Sequence, residues 1–330
     1  MKNTLIKFNE VYLNGTSIVG SIKESNFYGK YFDYIYKDEL AGESSFEKGE
    51  VQYLKTSLAL LFKKINNYNP EIFIGGDLTN QLAISHLVGM QLEASFIGVY
   101  SACSSLILSM ILVSTLISNH IVNNGVGFVS SNYGTSERQF RYPIYYGSQR
   151  KDTSTITTTG AVSTYLSNVK SKIKVVNGLI GKVENISWVD PLDMGSPMAF
   201  GAYKTLKSYF EITKTSPKDY DLIVTGDLST IGSQIFLDLF KYEGTIIENH
   251  FDCGKEIYKG DKKYFSGGSG CACIGLIGMS YLKKMMEEYK YNKVIFIGTG
   301  SLHSKTSADQ KEEIPIIAHL IYMEAIHDLY

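Results

Sequence analysis

The sequence predicts an α/β protein built from two related halves, and three observations carry that prediction. Short apolar runs such as Glu71-Ile-Phe-Ile-Gly75 and Asp221-Leu-Ile-Val-Thr225 alternate with amphipathic stretches, as buried strands alternate with helices. One segment, Ala94 to Ser136, holds no Asp, Glu, Lys or Arg at all. The chain also matches itself in order along most of its length.

The elements follow in order. A helix is expected over Glu50–Lys64, with lysines on one side and Leu and Tyr on the other. The strand at 71–75 comes next. The charge-free segment is too short in its clean apolar part, Leu106 to Ile117, to cross a bilayer, which takes about 20 apolar residues. Serines at 101, 104, 105, 109, 114 and 118 interrupt it further. It reads as a helix buried on all sides, with no transmembrane segment. Gly127-Phe-Val-Ser130 and Val294-Ile-Phe-Ile-Gly298 read as further strands, and Phe200–Phe210 as a helix. The opening residues lack a long apolar run, so no secretory leader is expected.

The internal matches have constant offsets. Ile74-Gly-Gly-Asp77-Leu-Thr79 falls on Val224-Thr-Gly-Asp227-Leu-Ser229 at a shift of 150. Ser101-Ala-Cys103-Ser104 falls on Ser269-Gly-Cys271-Ala272 at a shift of 168, which also places Gly127–Asn132 on Ile295–Gly300. A duplicated unit accounts for all of them, with halves at residues 1–168 and 169–330. A site is then expected at the junction.

Composition narrows the chemistry. A formal net charge of −1 offers no basic excess, so nucleic acid is not an expected partner. Four scattered cysteines (Cys103, Cys253, Cys271, Cys273) make neither a disulfide scaffold nor a zinc site, and no metal is expected. Of 32 basic residues only three are arginine, and Arg138, Arg141 and Arg150 share one short window. A chain that otherwise uses lysine keeps arginine where a planar fork is needed, for a carboxylate ligand or a structural ion pair. Asp77 and Asn80 follow a strand end, where α/β sites lie, although Asp77 also suits a helix cap. Cys103 opens the buried helix, where the macrodipole favours thiolate. Ser266–Gly270 can present several N–H groups, from Gly268 and Ser269 among others, as an anion nest. His86, His120, His250, His327 and Trp188 stand in no motif, and His319 and Glu324 read as structural.

With a small-residue turn carrying Cys103 into a buried helix, the chain resembles the thiolase superfamily, whose two βαβαβαββ halves pack in five layers. Asp193-Met-Gly-Ser-Pro-Met-Ala199 is similar to a run in the second half of thiolases. Gly75–Gln81, Tyr100–Ser104, Glu137–Pro143, Tyr146–Arg150, Ser266–Cys271 and Ile314–His319 resemble one branch, the stage V sporulation protein AD family.

The chain departs from the thiolase enzymes. The loop that carries Gly-His-Pro in them reads Tyr264-Phe-Ser-Gly-Gly-Ser-Gly-Cys271, with no histidine. Their late cysteine motif is replaced by Ile297-Gly-Thr-Gly-Ser-Leu-His303, and the His/Asn pair of ketoacyl synthases is not visible. One cysteine and His303 do not make a condensing enzyme.

The resemblance therefore implies a non-catalytic protein that binds dipicolinic acid, alone or as its calcium chelate, for uptake into the forespore. The implied ligand set is Cys103, Asp77, Asn80, Arg138, Arg141, Gly268, Ser269 and His303, with no further cofactor. It also implies membrane-embedded transport partners, a homodimer, and a place at the cytoplasmic side of the forespore inner membrane. The alternative is an acyl-CoA transferase using Cys103.

Overall fold

The computed structural model describes residues 4–66, 69–138, 153–190, 192–302 and 304–327. Arg141, Arg150 and His303 lie outside them. In the first half, β1 (Tyr12–Ser21) leads to α1 (Phe46–Lys64), β2 (Ile72–Gly76), α2 (Ala83–Gly89), β3 (Ser95–Gly98), α3 (Ser105–Ser118), β4 (Asn124–Ser131) and β5 (Gly160–Ser167). In the second half, β6 (Ile173–Ile180) leads to α4 (Gly195–Thr213), β7 (Leu222–Thr225), α5 (Ser229–Tyr242) and β8 (His250–Asp252). Then come α6 (Cys273–Ile277), β9 (Lys293–Ser301) and β10 (Ile316–Ala325). A π turn over Gly278–Leu282 prolongs α6 into Lys283–Glu287.

Both halves use one strand order. It is β3-β2-β4-β5-β1 in the first and β8-β7-β9-β10-β6 in the second. In each, the first three strands are parallel and the last two antiparallel. The two sets meet at a single pair, Tyr12 with Lys174. A further strand, Thr4–Lys7, precedes β1 and pairs antiparallel with β6 of the other half.

Three apolar clusters separate five layers. The central one joins Leu106, Met110 and Ile111 of α3 and Ile274 and Leu276 of α6 to Ile74, Val162, Val224 and Phe296 of the strands. Tyr53 and Leu54 of α1 cover the outer face of the first sheet, against Phe73, Phe128 and Tyr165. Leu206 and Tyr209 of α4 cover that of the second, against Ile223, Ile295 and Leu320. Helices on both faces explain why β2 and β7 are apolar and buried throughout. The resulting architecture is the thiolase-like α/β fold.

Local signals set the helix ends. Ser45 caps α1 by accepting from the Lys48 N–H, Glu47 lies in its first turn, and Lys63 and Lys64 close the last. This cap starts the helix four residues before Glu50, because Phe46–Gly49 complete the first turn. Asp193 does the same for α4, taking the Ser196 N–H at 3.1 Å and its hydroxyl at 2.8 Å. Serine does not stop α3, since its hydroxyls turn back on the backbone, as Ser109 does on Leu106 O. Among the described residues no helix is long and apolar enough to cross a membrane.

Candidate functional site

A cavity of about 280 Å³ opens where the halves meet. That lies just below the usual range of small-molecule sites, roughly 300–1,000 Å³. Its wall combines the loop after β2, the turn before α3, and the segments around Ser269 and Leu302 from the second half.

The loop after β2 is strained. Gln81 and Leu82 both take left-handed φ, 56° and 55°, and both line the cavity beside Asn80. Asp77 holds that kink without reaching the cavity. One carboxylate oxygen accepts from the Thr79 N–H at 2.8 Å and from the Thr79 hydroxyl; the other takes the Ser85 N–H at 2.8 Å and hydroxyl at 2.6 Å. Asp77 is fully buried, so it acts as the cap that its sequence position also suited.

The turn before α3 carries Cys103. Ala102 has φ 45°, a conformation that L residues rarely adopt, and it swings Cys103 into the cavity wall. Two donors stitch its carbonyl in place, Ser105 Oγ at 2.7 Å and Cys271 Sγ at 3.0 Å. Cys271 is the counterpart of Cys103 at the shift of 168, yet it serves as a buried support for it. Two glycines of β9 receive the turn. A Cβ on Gly300 would lie 2.6 Å from Ser101 O, and one on Gly298 would lie 3.0 Å from Ser104 Cα.

Asp227 also diverges from its counterpart Asp77. It does not cap α5; Asp252 does, accepting from Leu228 N at 2.9 Å and Ser229 N at 2.8 Å. Asp227 instead points to the junction, where it takes the Ser269 hydroxyl at 2.7 Å, the Gly270 N–H at 3.2 Å and the Thr299 hydroxyl. Ser269 Oγ lies 3.7 Å from Cys103 Sγ. Burial pushes the Cys103 thiol well above its usual range, and the carboxylate of Asp227 beside it pushes the same way. Burial raises Asp227 as well. The thiolate expected from the helix dipole is therefore disfavoured. Nothing in the sequence assigns Asp227 a role beyond repeating Asp77, and the fold brings it to Cys103 through Ser269, which contacts both.

Of the other expected site residues, Asn80, Cys103 and Ser269 line the cavity. Gly268 does not; a Cβ there would strike Ile257 and Thr158, so glycine is a packing requirement. The expected anion nest is largely used internally. Gly268 and Ser269 pair with Ile156 and Thr157, and the Gly270 N–H is on Asp227. Arg138 forms an ion pair with Glu47 at the surface and does not line the cavity. Among the described lining residues none is charged.

The remaining histidines stand apart from it. His250 accepts or donates to Thr225, His327 stacks on Tyr289, and Trp188 donates to Asp190 O and Asp193 O. His319 is nearer, since its Nε2 lies 2.8 Å from the hydroxyl of Ser101 in the Cys103 turn.

Comparison with known proteins agrees with this architecture. The family described as Stage V sporulation protein AD (SpoVAD) matches residues 2–324. A protein named Stage V sporulation protein AD, from Bacillus subtilis (strain 168), is 36% identical over 327 residues, covering 98% of this chain and 97% of its own. Among solved structures, a variant of Xanthomonas campestris OleA with bound lauric acid and lauroyl-CoA superposes with a TM-score of 0.59 at 12% identity. That match covers 96% of this chain and 99% of the other. The 3-oxoacyl-[acyl-carrier-protein] synthase III of Aquifex aeolicus VF5 gives 0.56 at 11% identity, over 95% and 99%.

Proposed function

This chain belongs to the stage V sporulation protein AD family, and from that premise we propose that it is a non-catalytic subunit that binds dipicolinic acid for uptake into the forespore. The observation that supports a binder over an enzyme is the setting of Cys103. An acyl-transferring cysteine needs a base or a cation to hold it as thiolate. Here burial and the neighbouring Asp227 keep it a thiol, and the described wall brings it no histidine. The cavity is also small, which suits a flat, compact ligand better than a long acyl chain.

In this reading Asn80 and Gln81 offer hydrogen bonds to the two ligand carboxylates, while Cys103 and Ser269, whose hydroxyl is held by Asp227, form part of the wall. Arg141 supplies positive charge and His303 a ring nitrogen for a hydrogen bond, and the ligand enters alone or as its calcium chelate. The protein works from the cytoplasmic side of the forespore inner membrane, on membrane-embedded partners of the same transport system. A second copy covers the exposed Leu87, Met90, Ile97 and Tyr100 around the edge strand β3.

The test is calorimetric titration and melting with dipicolinate, with and without calcium, on the native chain and on Cys103→Ala. A ligand at 100 times its Kd adds about 2.7 kcal/mol of stability. The native chain should show that rise, and Cys103→Ala a weaker one with folding intact. An acyl adduct on Cys103 after incubation with acetyl-CoA or lauroyl-CoA, found by mass spectrometry, would replace this reading with acyl transfer.

A further inference from the structure

His319 sits on β10 in the second half, 2% exposed, and both of its ring nitrogens are in use. The Gly181 N–H, which can only donate, lies 3.2 Å from Nδ1. Nδ1 must therefore accept, and the ring hydrogen is on Nε2. Nε2–H then donates to Ser101 Oγ at 2.8 Å.

That assignment fixes every hydroxyl after it. With His319 donating to it, Ser101 Oγ–H turns to Ser104 Oγ at 2.7 Å. Ser104 Oγ–H closes the ring on Ser101 O, also at 2.7 Å. Between these two serines stand the left-handed Ala102 and Cys103. The chain of donors thus begins in the second half and ends around the one cysteine among the described lining residues of the cavity.

We infer that His319 is a positioning residue of the cavity: its Nε2–H fixes Ser101 and Ser104, and through them the turn that presents Cys103. This rests on reading the cavity as a ligand site, but its first test needs no ligand. Cys103 is 7% exposed while Cys253, Cys271 and Cys273 are fully buried, so iodoacetamide should label Cys103 first. His319→Gln can keep a donor near the Nε2 position, whereas His319→Asn keeps only a group near Nδ1. A merely structural histidine would make the two variants alike.

The experiment measures the rate of Cys103 labelling, by peptide mass spectrometry, in the native chain, His319→Gln, His319→Asn and Ser101→Ala, with melting curves for each. The expected result is a rate near the native one for His319→Gln. A rate about threefold to tenfold higher is expected for His319→Asn and Ser101→Ala, the size set by one lost hydrogen bond. Equal rates in the two histidine variants, or a native rate in Ser101→Ala, would overturn the inference. Should His319→Asn fail to fold, Ser101→Ala decides alone. Dipicolinate titration of the same proteins separates the two readings. The labelling pattern without any dipicolinate binding would keep the positioning role and remove the proposed ligand.

Discussion

Cys103 shows two effects of opposite sign on one thiol. The end of a helix dipole contributes about 0.3–1 kcal/mol towards thiolate. Full burial shifts a titrating group by up to about 3–5 pKa units, each worth about 1.36 kcal/mol, and towards the neutral form. Burial wins, and the Asp227 carboxylate adds to it. Asp227→Asn removes that negative neighbour and leaves the burial. The pH profile of Cys103 alkylation should therefore move to lower pH, with a midpoint still above that of a free thiol. A profile that stays in place would show that Asp227 has no electrical hold on the sulfur. The position of Cys103 was legible in the sequence, because a small-residue turn before an uncharged segment is a local signal. The part played by Asp227 was not, since it depends on which strand ends the sheet places together. For Arg138 the sequence left a ligand carboxylate and a structural ion pair both open for a related reason: its partner Glu47 lies on a helix far away in sequence.

Helices and strands were more readable than their ends. The core of α1, β2, β4, β7 and β9 followed from apolar runs and periodicity. The cap at Ser45, the extension of α4 at both ends beyond Phe200–Phe210 and the π turn after α6 did not, because each depends on hydrogen bonds that periodicity ignores. At this scale β9 is the element that seats the site. Gly300 allows the Ser101 carbonyl to approach closer than any side chain would permit. Gly300→Ala must push the Cys103 turn away or strain the strand, at about 1–3 kcal/mol. We expect a lower unfolding midpoint in urea together with faster Cys103 alkylation. Native values of both would mean that the turn has room to spare.

Across the whole molecule, buried titrating groups pull stability in opposite directions as pH changes. Burial, with the nearby Asp77 second, pushes Glu50 up to about 8, and burial pushes Asp252 up to about 7. Burial lowers His250 and His319 to about 4. The acids favour the folded chain fully below their unfolded values, and that stability is lost as pH rises through 7 and 8. The histidines contribute fully above their unfolded value near 6.5, and their share is lost as pH falls towards 4. The two trends oppose each other below about pH 6.5, and only the acids act above it. Urea midpoints should therefore decline from about pH 6.5 to about 8. Glu50→Gln, which keeps partners for Ser130 and Thr135, should remove much of the decline. An equally steep decline in that variant would assign the slope to other groups.

The strand Thr4–Lys7 and the helix α3 also set a timetable. The strand Thr4–Lys7 can find its partner β6 only when the second half has begun to emerge, and α3 gains its second covering sheet later still. At ribosomal rates of about 5–20 residues per second, the second half takes roughly ten to thirty seconds to follow the first. For that interval the face of α3 that the second sheet will cover stands open, whereas the strand Thr4–Lys7 waits only until β6 has emerged. A chain released near the middle would leave that apolar face uncovered, the condition in which partly folded chains aggregate.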